Sequence, residues 1–278
     1  MWWLAARPAT LAASVSPVLV GTAVAVHDGG ARLLPGLAAL VVAIAMQLGV
    51  NYANDYSDFV RGADTPRRRG PVRAAASGVI PPRQVRMAAV VAFGVAAVVG
   101  LALSLAVDWR LLIVGVLAVA AGWLYTGGPR PYGYLGLGEV FVFVFFGLFA
   151  TCGTAYVEAL RVSGLAWAGG VATGCLACAI LVLNNLRDIE SDAAAGKRTL
   201  AVRLGPRRTR VLLAGLLVLA FLAGLAAHAL PLLVTPLAFY VWRLSASREA
   251  PVLVGALKRC AELEVLFALL WTLGVLAW

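Results

Sequence analysis

Two clusters of amide and carboxylate side chains interrupt an otherwise apolar chain. The first runs Asn51-Tyr52-Ala53-Asn54-Asp55-Tyr56-Ser57-Asp58 and continues to Asp64; the second runs Asn184-Asn185-Leu186-Arg187-Asp188-Ile189-Glu190-Ser191-Asp192. A helix advances about 100° per residue, which puts Asn51, Asp55 and Asp58 on one stripe with Asn54 beside it. By the same rule Asn184, Asp188 and Asp192 form a second stripe flanked by Asn185, and Glu190 points away. Each cluster thus projects several oxygen donors from one side of one helix. Oxygen donors without Cys or His suit Mg²⁺, a hard ion that takes one or two carboxylates and completes its shell with substrate phosphates and water. Two clusters allow two ions, with a diphosphate clamped between them. A basic stretch follows each: Arg67, Arg68, Arg69 and Arg73 after the first, Lys197, Arg198 and Arg203 after the second. Arginine meets phosphate oxygens bidentately, and a departing diphosphate needs such help because charge builds on it as its bond breaks.

The competing explanation is that these acids merely cap helix ends in water. A single cluster would leave the two explanations level. Two clusters on the same side, after corresponding helices, favour a shared site, because polar groups at membrane depth are costly to keep without a function.

The helices that must position them are membrane spans. The chain of 278 residues is 62% apolar and only 13% charged, against about 25% charged in soluble domains. Apolar blocks of spanning length predict nine helices near 10–27, 34–54, 84–106, 110–126, 137–157, 164–186, 209–227, 229–245 and 260–278. Pro231 and Pro236 interrupt the eighth. The expectation is an all-α polytopic membrane protein with one transmembrane domain, built of two weakly repeated halves of roughly 1–126 and 127–278. Each half runs apolar helix, acid cluster, basic stretch, next helix, and parallel repeats of this kind place a shared site between the halves.

Charge orients the chain. With the N-terminus inside, 20 of the 23 Lys and Arg residues lie on the inner side, and Arg32, Arg110 and Arg161 lie outside. This follows the positive-inside rule and supports an odd number of spans. The net charge of +10 is therefore mostly topology and attraction to anionic lipid, not a nucleic-acid surface. Arg7-Pro8-Ala9-Thr10 is expected to start a retained helix, with Pro in its first turn, and not to belong to a cleaved signal. Cys175 and Cys178 have CxxC spacing without a second pair, so they are expected to pack helices, as are Cys152 and Cys260. His27 and His228 fall at outer span ends. Nothing in the sequence sets the oligomeric state.

Asn54-x₃-Asp58 with a further acid downstream, and Asp188-x₃-Asp192, resemble the two Asp-rich motifs of the UbiA superfamily of intramembrane prenyltransferases. The family spacing is NxxxDxxxD, whereas Asp64 follows Asp58 by six residues. Tyr125-Thr126-Gly127-Gly128-Pro129, Gly133-Tyr134-Leu135-Gly136-Leu137-Gly138-Glu139 and Gly196-Lys197-Arg198-Thr199-Leu200 are most similar to the branch that prenylates 1,4-dihydroxy-2-naphthoate for menaquinone synthesis. The resemblance implies nine helices around a central cavity, an allylic polyprenyl diphosphate donor and Mg²⁺. It implies that Asn54 and Asp58, with Asp64, hold one ion, and that Asp188 and Asp192 hold the other; by helical geometry Asp55 is adjacent, and which of Asp55 and Asp64 ligates the metal stays open. Asn51 and Asn184 are adjacent helpers, and Lys197, Arg73, Arg67 and Arg198 are candidates to contact the diphosphate. Tyr125, Tyr132 and Tyr134, in a short Gly/Pro-rich loop, are placed to cover the site and steady an allylic cation. Glu139 is either an acceptor-binding residue or a helix N-terminal acid favoured by the dipole. Other acceptors (4-hydroxybenzoate, homogentisate, haem or a lipid glycerol) remain open. A cation transporter is the rival of a different class, and it predicts acids near mid-span. A CDP-alcohol phosphatidyltransferase is disfavoured by the missing DGxxAR motif.

Overall fold

The computed structural model describes residues 2–62 and 73–277. Asp64 and Arg67, both expected at the site, lie outside the described residues. After a short helix at Trp2–Ala5 and a 3₁₀ turn at Pro8–Thr10, the helices are α1 (Ala12–His27), α2 (Leu33–Val60), α3 (Pro82–Ala106), α4 (Leu111–Leu124), α5 (Gly138–Ala159), α6 (Gly164–Ala194), α7 (Leu200–Gly224), α8 (Leu230–Leu244) and α9 (Ala250–Leu276). No strand occurs among the described residues. Each helix overlaps one expected span. Five segments, Pro8–His27 (which contains α1), α2, α3, α5 and α6, are long and apolar enough to cross a membrane alone, and α4 and α8 are shorter apolar helices. The chain is an integral membrane protein.

Where helix and apolar span differ, the reason is that hydropathy reports contact with lipid and not helicity. The acid-bearing helices run past their apolar blocks: α2 continues to Val60 and α6 to Ala194, so both clusters are helical. Helix α7 starts at Leu200, capped by Thr199, whose side chain accepts from the Val202 N–H at 3.4 Å; of the basic stretch it carries Arg203, while Lys197 and Arg198 precede it. Gly205, at φ 73° and ψ 169°, bends α7 ahead of Pro206. Helix α9 begins at Ala250, well before its expected apolar start, with Pro251 in its first turn.

Helix α6 is the centre of the bundle. From Ala172 to Leu183 almost every side chain is buried, and it shares one apolar core with α1, α7, α8 and α9. Helices α2 and α3 bury far less of themselves and keep much of their apolar surface outward. The contact between α5 and α6 is made by glycines: a Cβ on Gly147 would lie 2.4 Å from the Gly174 Cα. Small residues at such crossings let two backbones approach closely, as membrane helices do in the absence of a hydrophobic drive between them. Within α5, residues Phe143–Phe149 form a π-helical stretch, an irregularity that occurs frequently at functional sites. All four cysteines are buried and free, and the His228 ring is fixed by a 2.9 Å hydrogen bond with the Trp271 carbonyl.

Candidate active site

The ends of α2 and α6 meet across one cavity of about 340 Å³. Asn51, Asn54 and Asp58 line it from α2, and Asn184, Asn185, Asp188, Ser191 and Asp192 line it from α6. The cavity-facing set on α2 is spaced i, i+3, i+7 and excludes Asp55. Asp55 is 1% exposed, and its two carboxylate oxygens accept the backbone N–H groups of Ala74 (3.0 Å) and Ala75 (3.2 Å). It was expected among the metal-holding oxygens, but here it anchors the chain that brings Arg73 to the site. Two charge-assisted bonds account for its burial.

Asp58 is the hub. Lys197 Nζ lies 2.7 Å from its Oδ1, the Tyr134 hydroxyl donates to the same oxygen at 2.7 Å, and Arg73 Nη2 lies 3.2 Å from Oδ2. The Lys197 ammonium also sits 4.8 Å from the Tyr134 ring centroid, and the Arg61 guanidinium sits 5.6 Å from it. Burial, and next the Asp58 charge, raise the Tyr134 phenol above its ordinary value, so it remains a donor. Asn54 accepts from the Thr126 hydroxyl at 2.7 Å. The Arg198 side chain is exposed and does not line the cavity; its backbone N–H donates to the Tyr134 carbonyl at 2.9 Å and so pins the aromatic loop.

On α6, Arg187 was given no role of its own from the sequence. It is buried, with Nε 2.8 Å from Asp188 Oδ1, and Nη2 2.5 Å from Asp188 Oδ2 and 2.9 Å from Asn184 Oδ1. A two-pronged guanidinium hold of this kind fixes the carboxylate's orientation. Glu139 does not line the cavity. It sits behind the wall, in the first turn of α5, and accepts from Asn185 Nδ2 at 3.0 Å, so it orients a residue that does. Arg7 is another residue that sequence reasoning passed over. It lines the cavity in a left-handed conformation, φ 52°, uncommon for a non-glycine. Asn51 holds that N-terminal turn, donating to the Ala6 carbonyl at 2.8 Å and to the Thr10 hydroxyl at 3.0 Å.

Beyond the polar mouth the wall turns aromatic. Tyr125 meets Tyr132 edge-on at 5.5 Å, Tyr132 stacks on Phe141 at 4.0 Å, and Phe141, Phe145 and Phe149 follow at 6.2 and 5.4 Å. All five line the cavity, so a continuous ladder of rings leads from the charged end into the apolar interior. The tyrosines were legible in the sequence. The phenylalanines were hidden in an apolar span, and the four-residue spacing of Phe141, Phe145 and Phe149, which shares one helix face, was the available signal. The arrangement offers a charged mouth, a cation-tolerant aromatic wall and an apolar depth.

The sequence pattern of the UbiA prenyltransferase family matches residues 14–252. The chain belongs to that family. It is 51% identical to the 1,4-dihydroxy-2-naphthoate octaprenyltransferase of Mycobacterium tuberculosis over 219 residues, covering 79% of this chain and 75% of that one. It is 45% identical to the enzyme of the same name from Mycobacterium leprae over 275 residues, 96% and 93% of the two chains. A UbiA homolog from Archaeoglobus fulgidus bound to GPP and Mg²⁺ shares the fold, with a TM-score of 0.66 over 100% of both chains at 17% identity. In this UbiA prenyltransferase the donor set fits a divalent ion. Asn54, Asp58, Asp188 and Asp192 present only oxygen to one cavity, while no three His, Cys, Asp or Glu side chains among the described residues gather into a cage. Such a site suits an ion that takes its remaining ligands from phosphate and water.

Proposed function

We propose that this chain transfers a polyprenyl group from an allylic polyprenyl diphosphate to 1,4-dihydroxy-2-naphthoate, releasing diphosphate and CO₂ and giving the quinol form of a demethylmenaquinone. The observation that carries this reading is the 2.7 Å bond between Lys197 and Asp58, which joins the two motif-bearing halves over an aromatic, apolar chamber. The names of the relatives supply the acceptor.

Asn54 and Asp58 would hold one Mg²⁺, and Asp188 and Asp192 a second. Bound there, the ions neutralise the diphosphate and the charge that grows on it as it leaves. Lys197 and Arg73, already beside Asp58, turn from that carboxylate toward phosphate oxygens when the donor enters. Arg187 keeps Asp188 aimed at the cavity. The prenyl chain lies along the ladder from Tyr132 to Phe149, whose ring faces steady the allylic cation. The apolar depth excludes water, which would otherwise capture that cation. The electron-rich naphthoate ring attacks the cation, forming the new carbon–carbon bond, and the carboxylate at that carbon departs as CO₂. The nine helices all cross the membrane, with the N-terminus and the site on the inner side of a bacterial plasma membrane and the C-terminus outside, as the basic loops require.

The test is purified protein in lipid nanodiscs given a labelled prenyl diphosphate and each candidate acceptor in turn. A product of demethylmenaquinol mass, read as demethylmenaquinone after air oxidation, is expected from the naphthoate and not with 4-hydroxybenzoate or homogentisate. Product from another acceptor alone would remove the assignment.

A further inference from the structure

A second concavity, of about 430 Å³, opens on the other face of α6 and, among the described residues, shares no lining residue with the active site. Its walls come from the end of α6, the first turn after the α7 bend at Pro206, and the turn that joins α8 to α9. Among the described residues four arginines line it, Arg187, Arg207, Arg210 and Arg248, against one acid, Glu190. Arg207 and Arg248 are exposed and make no ion pair among the described residues. Arg210 is held in place, with Nε 3.3 Å from Ser245 Oγ and its guanidinium 5.4 Å from the Trp242 ring centroid. Arg187 is the buried member, 5% exposed, and the only one of the four engaged with the active site. Because Gly205 breaks α7, the stretch from Pro206 starts a helix afresh, and its positive end adds to the pocket's field.

We propose that this pocket binds a phosphate anion, supplied by the headgroup of an anionic phospholipid. Guanidinium forks match phosphate oxygens, and three or four of them around one concavity are more than a solvated basic rim needs. The pocket sits at the inner helix ends, where headgroups lie. Next to it the helices expose apolar side chains to lipid, including Val211 at 68%, Phe239 at 58% and Tyr240 at 50%. One guanidinium, that of Arg187, serves both sites: it grips Asp188 on one face of α6 and walls the pocket on the other. Binding in the pocket does not depend on which aromatic acceptor the enzyme uses.

The experiment is thermal unfolding of the purified full chain in a neutral detergent. Phosphatidylglycerol, phosphatidylcholine or inorganic phosphate is added, and lipid retention is read in parallel by native mass spectrometry. Phosphatidylglycerol is expected to raise Tm more than phosphatidylcholine does and to be retained. The double variant Arg207→Ala/Arg248→Ala should lose at least about tenfold in retention and all of the added Tm shift. The double variant Arg83→Ala/Arg243→Ala removes two exposed basic residues outside the pocket and should keep both. A Tm shift from inorganic phosphate alone, lost in Arg207→Ala/Arg248→Ala, would support the same anion site with a free source. Equal losses in the two double variants, or no response to any anion, would overturn the proposal.

Discussion

Lys197 Nζ stands 2.7 Å from Asp58 Oδ1, joining residues 139 positions apart in the chain and closing the two halves over one cavity. The pair is buried, and Arg73 and Tyr134 complete the carboxylate's surroundings. Asp58→Asn keeps the shape and removes the charge. Its kcat/KM for prenyl transfer is expected to fall by about 100- to 1,000-fold, the usual loss for a group that stabilises developing charge. Asp188→Asn should do the same, with membrane insertion intact. Near-normal turnover in both would refute the site.

Asp55 separates anchoring from metal holding. Asp55→Ala leaves the Ala74 and Ala75 N–H groups without their acceptor, at about 1–3 kcal/mol each, and should lower Tm clearly. Displacing Arg73 should raise KM for the prenyl diphosphate more than it lowers kcat. A variant that keeps its Tm but loses kcat and its Mg²⁺ response as Asp58→Asn does would make Asp55 a ligand instead.

The ring ladder predicts a change in partition. Phe145→Ala removes one ring between Phe141 and Phe149 and opens space for water. Cation–π stabilisation of about 0.5–2 kcal/mol implies a roughly 2- to 30-fold lower kcat. Diphosphate release should then outrun quinone formation, because water captures part of the cation. Equal yields of diphosphate and product, at wild-type rate, would show that the ring does neither job.

Tyr134 gives a pH prediction. Its phenol is raised by burial and then by Asp58, so it stays protonated, and keeps donating to Asp58, as pH climbs past the ordinary tyrosine value of about 10. The contribution of this bond is present at low and neutral pH and is lost only above that raised value. Tyr134→Phe should therefore cost about 10- to 100-fold in kcat/KM by a constant factor across neutral and mildly alkaline pH. A wild-type to variant ratio that collapses toward one between pH 8 and about 10 would contradict the assigned proton.

The sequence alone determined that this is a helical membrane protein with two oxygen-rich clusters, each trailed by basic residues. Those conclusions follow from short-range physics: apolar run length, helical periodicity and loop charge. It left open whether Asp55 or Asp64 joins Asn54 and Asp58, because neighbours on a helix differ by only about 100° and Asp55 could face inward. The tertiary structure engages Asp55 with two backbone N–H groups of the following loop and leaves it out of the cavity lining. It also turned Glu139 from a candidate acceptor contact into the support of Asn185, and Arg187 from a loop charge into the clamp on Asp188. The five-ring ladder likewise needed a π-helical stretch of α5 packed beside the aromatic loop. These features depend on which surfaces meet across distant stretches of chain, and no local pattern of residues encodes that.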